Sequence, residues 1–254
     1  MIDKILKFTS YKLIPYITLD KKAPDVAIFN SSYLNWKYLK KSMQMASKKY
    51  ISGICLDIGS GNSPYKKYLN VDEYISVDNK ETQATSYQKN QNEVNADAKD
   101  LPFSDKYADS VLLNQVLEHV DDYDAVLSEI HRVLKDDGKF ILSVPFIYHI
   151  HGEPNDYFRF SEYGIQHILQ KHNFKILEFE YQGYVGTTLV SILNSFIWQV
   201  WNKNKYTKLL RNIIFLIPIL FIFMLNNILG MILDLFKNKK FCPNYFIVCE
   251  KIYE

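Results

Sequence analysis

The densest chemistry in the chain lies in Leu56-Asp57-Ile58-Gly59-Ser60-Gly61-Asn62-Ser63-Pro64-Tyr65. An apolar run ends in an acid, and two glycines follow one residue apart. Glycine lets a backbone turn tightly and approach a ligand closely, and the start of a following helix favours negative charge. Ser63-Pro64 reads as such a helix start, with a capping serine and proline at the first helical position. Asp78 ends the next apolar run about 20 residues on, where a carboxylate can accept hydrogen bonds from a ribose diol. Asp57 adds a carboxylate that can help hold a cationic amino group. The bare glycine pair is weak evidence, because glycine turns are common. The strand before it and the acid after it make it informative.

Two more groups carry acid-base chemistry. Glu118-His119 follow one strand-like run, and His149, His151, Glu153, Asp156 and Tyr157 follow another. Histidine titrates near neutrality and suits a general base, so His119 and His151 are the candidate catalytic residues. In the plainer reading His119 caps its loop and Tyr157, Phe158 and Phe160 pack a lid. His149, His151 and Glu153 have the residue types of a metal set, but no metal is expected.

These residues need strands and helices to position them. Apolar runs predict strands at Ile54–Ile58, Tyr74–Val77, Glu93–Ala96, Ser110–Leu113, Phe140–Val144, Phe174–Tyr181 and Tyr245–Cys249. Val126, Leu127, Ile130, Val133 and Leu134 share one face of a helix over Tyr123–Leu134. Asp136-Asp137-Gly138 should end it, with the glycine as a left-handed cap. Ser161 caps a second helix that ends at Lys171. The alternation predicts an α/β fold with a doubly wound, mostly parallel seven-stranded sheet. Ligands of such sheets sit beyond the carboxyl ends of the strands, which is where these polar residues fall.

Composition sets outer bounds. A chain of 254 residues suits one large α/β domain or two small ones. A net charge of +2 gives no argument for nucleic acid. Cys55, Cys242 and Cys249 form no metal pattern and suit a reducing compartment, with Cys55 and Cys249 as small buried hydrophobes. The N-terminal 22 residues are interrupted by lysines and do not read as a signal peptide, so a cytoplasmic protein is expected.

Residues 1–50, broken at Pro15 and Pro24, read as an N-terminal helical cover, 51–183 as the core and 241–254 as its last strand. Residues 184–240 break the rhythm as a hydrophobic helical insert. Val185–Trp201 is largely apolar, and Ile213–Phe236 is interrupted only by Asn226, Asn227 and Asp234. Lys203, Lys205, Lys208 and Arg211 lie between them. About 20 apolar residues suffice to cross a bilayer. A single crossing, however, would part Tyr245–Cys249 from the sheet. A two-pass hairpin would carry the basic residues across, against the usual bias. The expectation is therefore contact of 185–236 with the inner membrane surface, or else packing on the protein or a second subunit. The oligomeric state is open.

Over about residues 50–182 the chain resembles the class I methyltransferases, in particular the type 11 group. The segments LDIGSGNSPY, YISVD, NADAKDLPFSDKYADSVLLNQVLEHV, EIHRVLKDDGKFILSVPF and HGEPNDYFRFSEYGIQHILQKHNF carry it, in that order. The resemblance implies a Rossmann-like fold with S-adenosylmethionine as cofactor. It implies that Asp57, Gly59 and Gly61 line the methionine part and that Asp78 holds the ribose. Asp97 and Ala98 would contact the adenine, and Asn114 and Gln115 would sit by the methionine end and the substrate. Ser63 departs from the third glycine of many members. The implied activity is methyl transfer to an oxygen or nitrogen of a glycan, lipid-linked or other small-molecule acceptor. Two rival readings are a nicotinamide-dependent oxidoreductase, which the incomplete glycine pattern disfavours, and a non-catalytic, membrane-associated cofactor-binding protein.

Overall fold

The structure is a computed structural model that describes residues 23–79, 93–203 and 216–252. Lys205, Lys208, Arg211 and Pro15 lie outside the described residues. The chain divides into two units. One contains residues 41–181 and 244–252, and the other residues 23–40 and 182–243. The division falls inside helix α1 (Tyr33–Lys49).

The first unit is built on seven strands: β1 (Ile54–Ile58), β2 (Glu73–Asp78), β3 (Glu93–Asn95), β4 (Ala108–Asn114), β5 (Leu134–Pro145), β6 (Phe174–Gln182) and β7 (Asn244–Lys251). Their order is β3-β2-β1-β4-β5-β7-β6. The pairs β3-β2, β2-β1, β1-β4 and β4-β5 are parallel, and β7 runs antiparallel to β5. The strand order reverses between β1 and β4, the place where such sheets bind ligands. Cys55, Leu56, Ile58 and Val111–Leu113 are all buried, because central parallel strands are covered on both faces. This is the α/β sheet expected from the sequence.

Helix α2 (Tyr123–Val133) begins where Asp122 accepts a hydrogen bond from the Ala125 amide, and it buries Val126, Leu127, Ile130 and Val133. Ser161 caps α3 (Glu162–Lys171) by accepting from the Gly164 amide. Two local expectations fail. First, α2 runs directly into β5, and the left-handed residue is Asp137 (φ 58°), not Gly138. The register of β4 on β5 slips between Ala108 and Ser110, so 135–138 form an irregular part of the strand. Gly138 is needed there for space, since a Cβ would stand 2.7 Å from the Lys135 carbonyl oxygen. Second, Ser63-Pro64 starts no α-helix. Ser63 sits at φ 50°, not in the extended backbone of a cap, and only a short 3-10 turn, Lys66–Tyr68, follows.

In the second unit, α4 (Val185–Lys203) packs on α5 (Leu216–Leu233). They approach closely at two glycines: a Cβ on Gly186 would lie 2.1 Å from the Gly230 carbonyl oxygen. The polar residues of the apolar segments turn inward. Asn226 donates to Asn194 Oδ1 (2.8 Å), and Asn227 donates to the carbonyls of Ile28 (2.6 Å) and Asn30 (2.9 Å). Asp234 is buried and accepts from Thr187 Oγ1 (2.5 Å), the Thr187 and Tyr184 amides and the Tyr38 hydroxyl. The outward face is apolar, with Leu189, Leu193, Phe196, Phe221, Leu225, Leu229 and Ile232 exposed.

Asp234 thus anchors the start of α4. Hydrogen bonds to a charged group are worth about 1.5–3 kcal/mol each. Asp234→Ala should therefore destabilise this unit by on the order of 3 kcal/mol and speed amide hydrogen exchange at Tyr184–Thr187. Unchanged exchange there would contradict the anchoring role.

Candidate active site

The turn after β1 is fixed to the end of β2. The Gly59 and Ser60 amides donate to the Val77 carbonyl at 2.8 and 3.2 Å, and the Gly61 amide donates to Asp78 Oδ2 at 2.8 Å. Gly59 has φ 65°, and a Cβ on it would lie 2.4 Å from Val116 Cγ2. Both the backbone conformation and the space demand glycine. Behind the turn, Asp57 is buried and accepts a 2.5 Å hydrogen bond from the Tyr74 hydroxyl. Burial pushes the Asp57 carboxyl up to about 7, against the pull of that hydrogen bond.

Gln115 follows β4 in the left-handed region, at φ 55°. Its amide donates to the Ser143 carbonyl (2.9 Å) and its side chain to Ser143 Oγ (3.3 Å), while Ser143 Oγ donates to Asn114 Oδ1 (3.2 Å). Asn114 Nδ2 is buried without a hydrogen-bond partner. After β3, Asp97 is exposed and accepts from the Lys99 amide at 2.9 Å.

A cavity of about 530 Å³ opens at the carboxyl ends of β1, β2 and β4, a size suited to a small-molecule site. Gly59, Asp78, Asp97, Ala98, Gln115, His119 and His151 all line it. The structure thus brings together most of the cofactor candidates and both catalytic candidates. Asp57, Gly61 and Asn114 do not line it. They brace the turn and the end of β4 in the ways just described.

The histidines come from two loops that are tied together. The Tyr157 and Phe158 amides donate to the Glu118 carbonyl at 2.8 and 3.3 Å. His119 Nδ1 lies 2.5 Å from the Asn155 carbonyl oxygen. Asp156 accepts from the His151 amide (2.8 Å) and from both terminal nitrogens of Arg159. Arg159 also reaches the His149 carbonyl and His151 Nδ1. The two imidazoles meet edge to face, 4.7 Å between centroids. Burial and the neighbouring His119 hold His151 down to about 4, so it is neutral at pH 7. Burial drives the Glu118 carboxyl up to about 8.

Sequence reasoning weighed Glu118 only as the neighbour of His119, and it passed over Arg159 and Tyr74. Arg159 stands alone in the aromatic segment Tyr157–Phe160, so its spacing carries no signal. Only the folded loop shows that it clamps Asp156.

The Gly59 geometry is open to test. Gly59→Ala should lower stability by roughly 1–3 kcal/mol, a typical cost of a strained backbone position. Adding Val116→Ala should recover part of the loss in chemical denaturation, because it removes the clash but not the φ strain. Strictly additive losses would contradict the close approach.

Residues 56–142 match the family described as Methyltransferase domain, the type 11 group. An uncharacterised protein of Methanocaldococcus jannaschii is 35% identical over 105 residues, 41% of this chain and 51% of that protein. The chain thus spans about half the length of the curated relative it matches. The solved structure of the cyclase SpnF is similar with a TM-score of 0.57 at 14% identity, covering 86% of this chain and 82% of that one. A SAM dependent methyltransferase from Archaeoglobus fulgidus is similar with a TM-score of 0.51 at 16% identity, covering 85% and 94%. At such identities these two structures speak to the fold alone. The match at residues 56–142 is thus to a type 11 methyltransferase domain, and the fold is the one seen in solved methyltransferase structures.

Proposed function

We propose that the protein is an S-adenosylmethionine-dependent methyltransferase acting on an oxygen or nitrogen of a glycan, lipid-linked or other small-molecule acceptor. The observation that carries this reading is the single cavity where Gly59, Asp78, Asp97 and Ala98 face the same space as His119 and His151. The residues present fit the cofactor. Gly59 leaves room for close backbone approach, Asp78 ends β2 where a ribose diol binds, and Asp97 and Ala98 form the wall assigned to adenine. When bound, the cofactor supplies an electrophilic methyl group, whose bond to sulfur breaks as the acceptor lone pair bonds to carbon. The chain holds the acceptor in line and keeps water out, and positioning supplies much of the rate. Neutral His151, or His119, is placed to take a proton from the acceptor.

The exposed apolar face of α4 and α5 supports contact with the inner membrane surface. Lys237, Lys239 and Lys240 are exposed directly after these helices, and the sequence of the connecting segment is basic. Both suit anionic headgroups. By length and composition Ile217–Phe236 is also able to cross a bilayer. The inward-facing Asn194, Asn226, Asn227 and Asp234 leave the opposite face mostly apolar, with Gln199 among its exposed residues, as suits a surface-lying pair.

Calorimetry with S-adenosylmethionine, S-adenosylhomocysteine and nicotinamide dinucleotides tests the cofactor. The first two should bind and the last should not. Asp78→Ala should cost about 1–3 kcal/mol of affinity. Asp78→Asn, which keeps an acceptor for the Gly61 amide, should lose less. Equal affinity in all three proteins would overturn the assignment. Cell fractionation tests the membrane contact: the chain should sediment with membranes and be released by alkaline carbonate. A wholly soluble chain, unchanged when Phe196, Phe221 and Leu225 are made polar, would reject it.

A further inference from the structure

Glu118 is wholly buried, yet among the described residues no other residue donates a hydrogen bond to either of its carboxyl oxygens. A buried carboxyl without a donor from its neighbours is costly for a fold to hold. What Glu118 faces is imidazole nitrogen. Its Oε1 lies 3.8 Å from His119 Nε2 and 3.9 Å from His151 Nε2. One ligand atom from each of the three residues lies within 4.8 Å of the others.

The outer partners orient these nitrogens. The Asn155 carbonyl can only accept, so His119 Nδ1 donates to it and Nε2 is the nitrogen left facing Glu118. An imidazole that ligates a metal is usually held by such a bond to a carbonyl. His151 Nδ1 faces two acceptors, the His149 carbonyl at 3.3 Å and Asp156 Oδ2 at 3.6 Å. Arg159 also approaches that nitrogen, at 3.2 Å, while its charge is matched by Asp156.

We propose that Glu118, His119 and His151 bind one divalent transition-metal cation, of the zinc or manganese class, in the wall of the cavity. Two imidazoles and a carboxylate are a common set for a site that keeps an open position. Bonds near 2.0–2.1 Å to a tetrahedral ion place donors about 3.4 Å apart, so side-chain rotations of about an ångström close the set. Imidazole donors disfavour magnesium and calcium, which take oxygen. The donor set differs from His149, His151 and Glu153, the one suggested by sequence spacing, because Glu153 is exposed and stands outside the cluster. With the ion bound, the imidazoles are ligands rather than bases. An acceptor hydroxyl in the open position would lose its proton more readily. That role rests on the methyl-transfer reading; the cation site does not.

Tag-free protein, stripped with chelator, is titrated with zinc, manganese and cobalt ions by calorimetry, with cobalt also followed by its visible absorption. One ion per chain is expected. Glu118→Gln, His119→Ala and His151→Ala should each weaken binding by at least about tenfold, and Glu153→Gln should not. Circular dichroism checks that each variant folds, and the near-isosteric Glu118→Gln keeps the test valid if a histidine variant does not. Less than one ion per chain, or Glu118→Gln binding like the parent protein, would overturn the site. S-adenosylmethionine binding is measured in parallel. Cofactor binding without cation binding removes this site alone, and cation binding without cofactor binding removes the methyl-transfer reading alone.

Discussion

The chain leaves the sheet at two neighbouring strands through left-handed residues, Gly59 after β1 and Gln115 after β4. The rest of the site depends on that pair. The missing Cβ of Gly59 admits the Val116 side chain, so the two turns interlock. Their amides are spent on the next strand over, Val77 for one and Ser143 for the other. Two adjacent chains that diverge at a strand-order reversal leave a gap between them. A side chain at position 59 would push Val116, and with it the Leu117–His119 turn, out of register with the loop that follows β5.

Much of this was legible in the sequence because it rests on local rules. Burial on both faces makes the middles of β1 and β4 apolar, and α2 shows its face at helical spacing. Ser161 caps as its residue type suggests. The misreadings share a cause. Gly138 and Ser63 were assigned by residue type to jobs that the surrounding backbone gave to Asp137 and to a short 3-10 turn. At the site, the cavity-lining residues were readable from strand ends. The bracing roles of Asp57, Gly61 and Asn114 were not, because which side of a turn a carboxylate or amide faces is a tertiary property. Glu118 is the extreme case. Its lack of donors is visible only once every neighbour is in place.

The two units solve opposite packing problems. The sheet unit buries apolar side chains and presents polar strand ends. In the helical unit, the asparagines and Asp234 join the helices from within while the apolar side chains point out. Hydrogen bonds between helices do not need water to be excluded from an apolar seam, so they hold the pair in an apolar solvent as well. That inversion explains why helices rich in leucine, isoleucine and phenylalanine also carry Asn194, Asn226, Asn227 and Asp234, each of which finds a partner.

The loop after β5 is fastened through its main chain. The Tyr157 and Phe158 amides, the Asn155 carbonyl and the His149 carbonyl make the joints, whereas the side chains of Ile150 and Tyr157 are exposed. Replacing an exposed side chain leaves a peptide group untouched. Descendants of this chain can therefore vary what the loop presents to an incoming molecule while the histidines keep their places. What the loop presents thus becomes cheap to change in evolution, separately from the histidines beneath it.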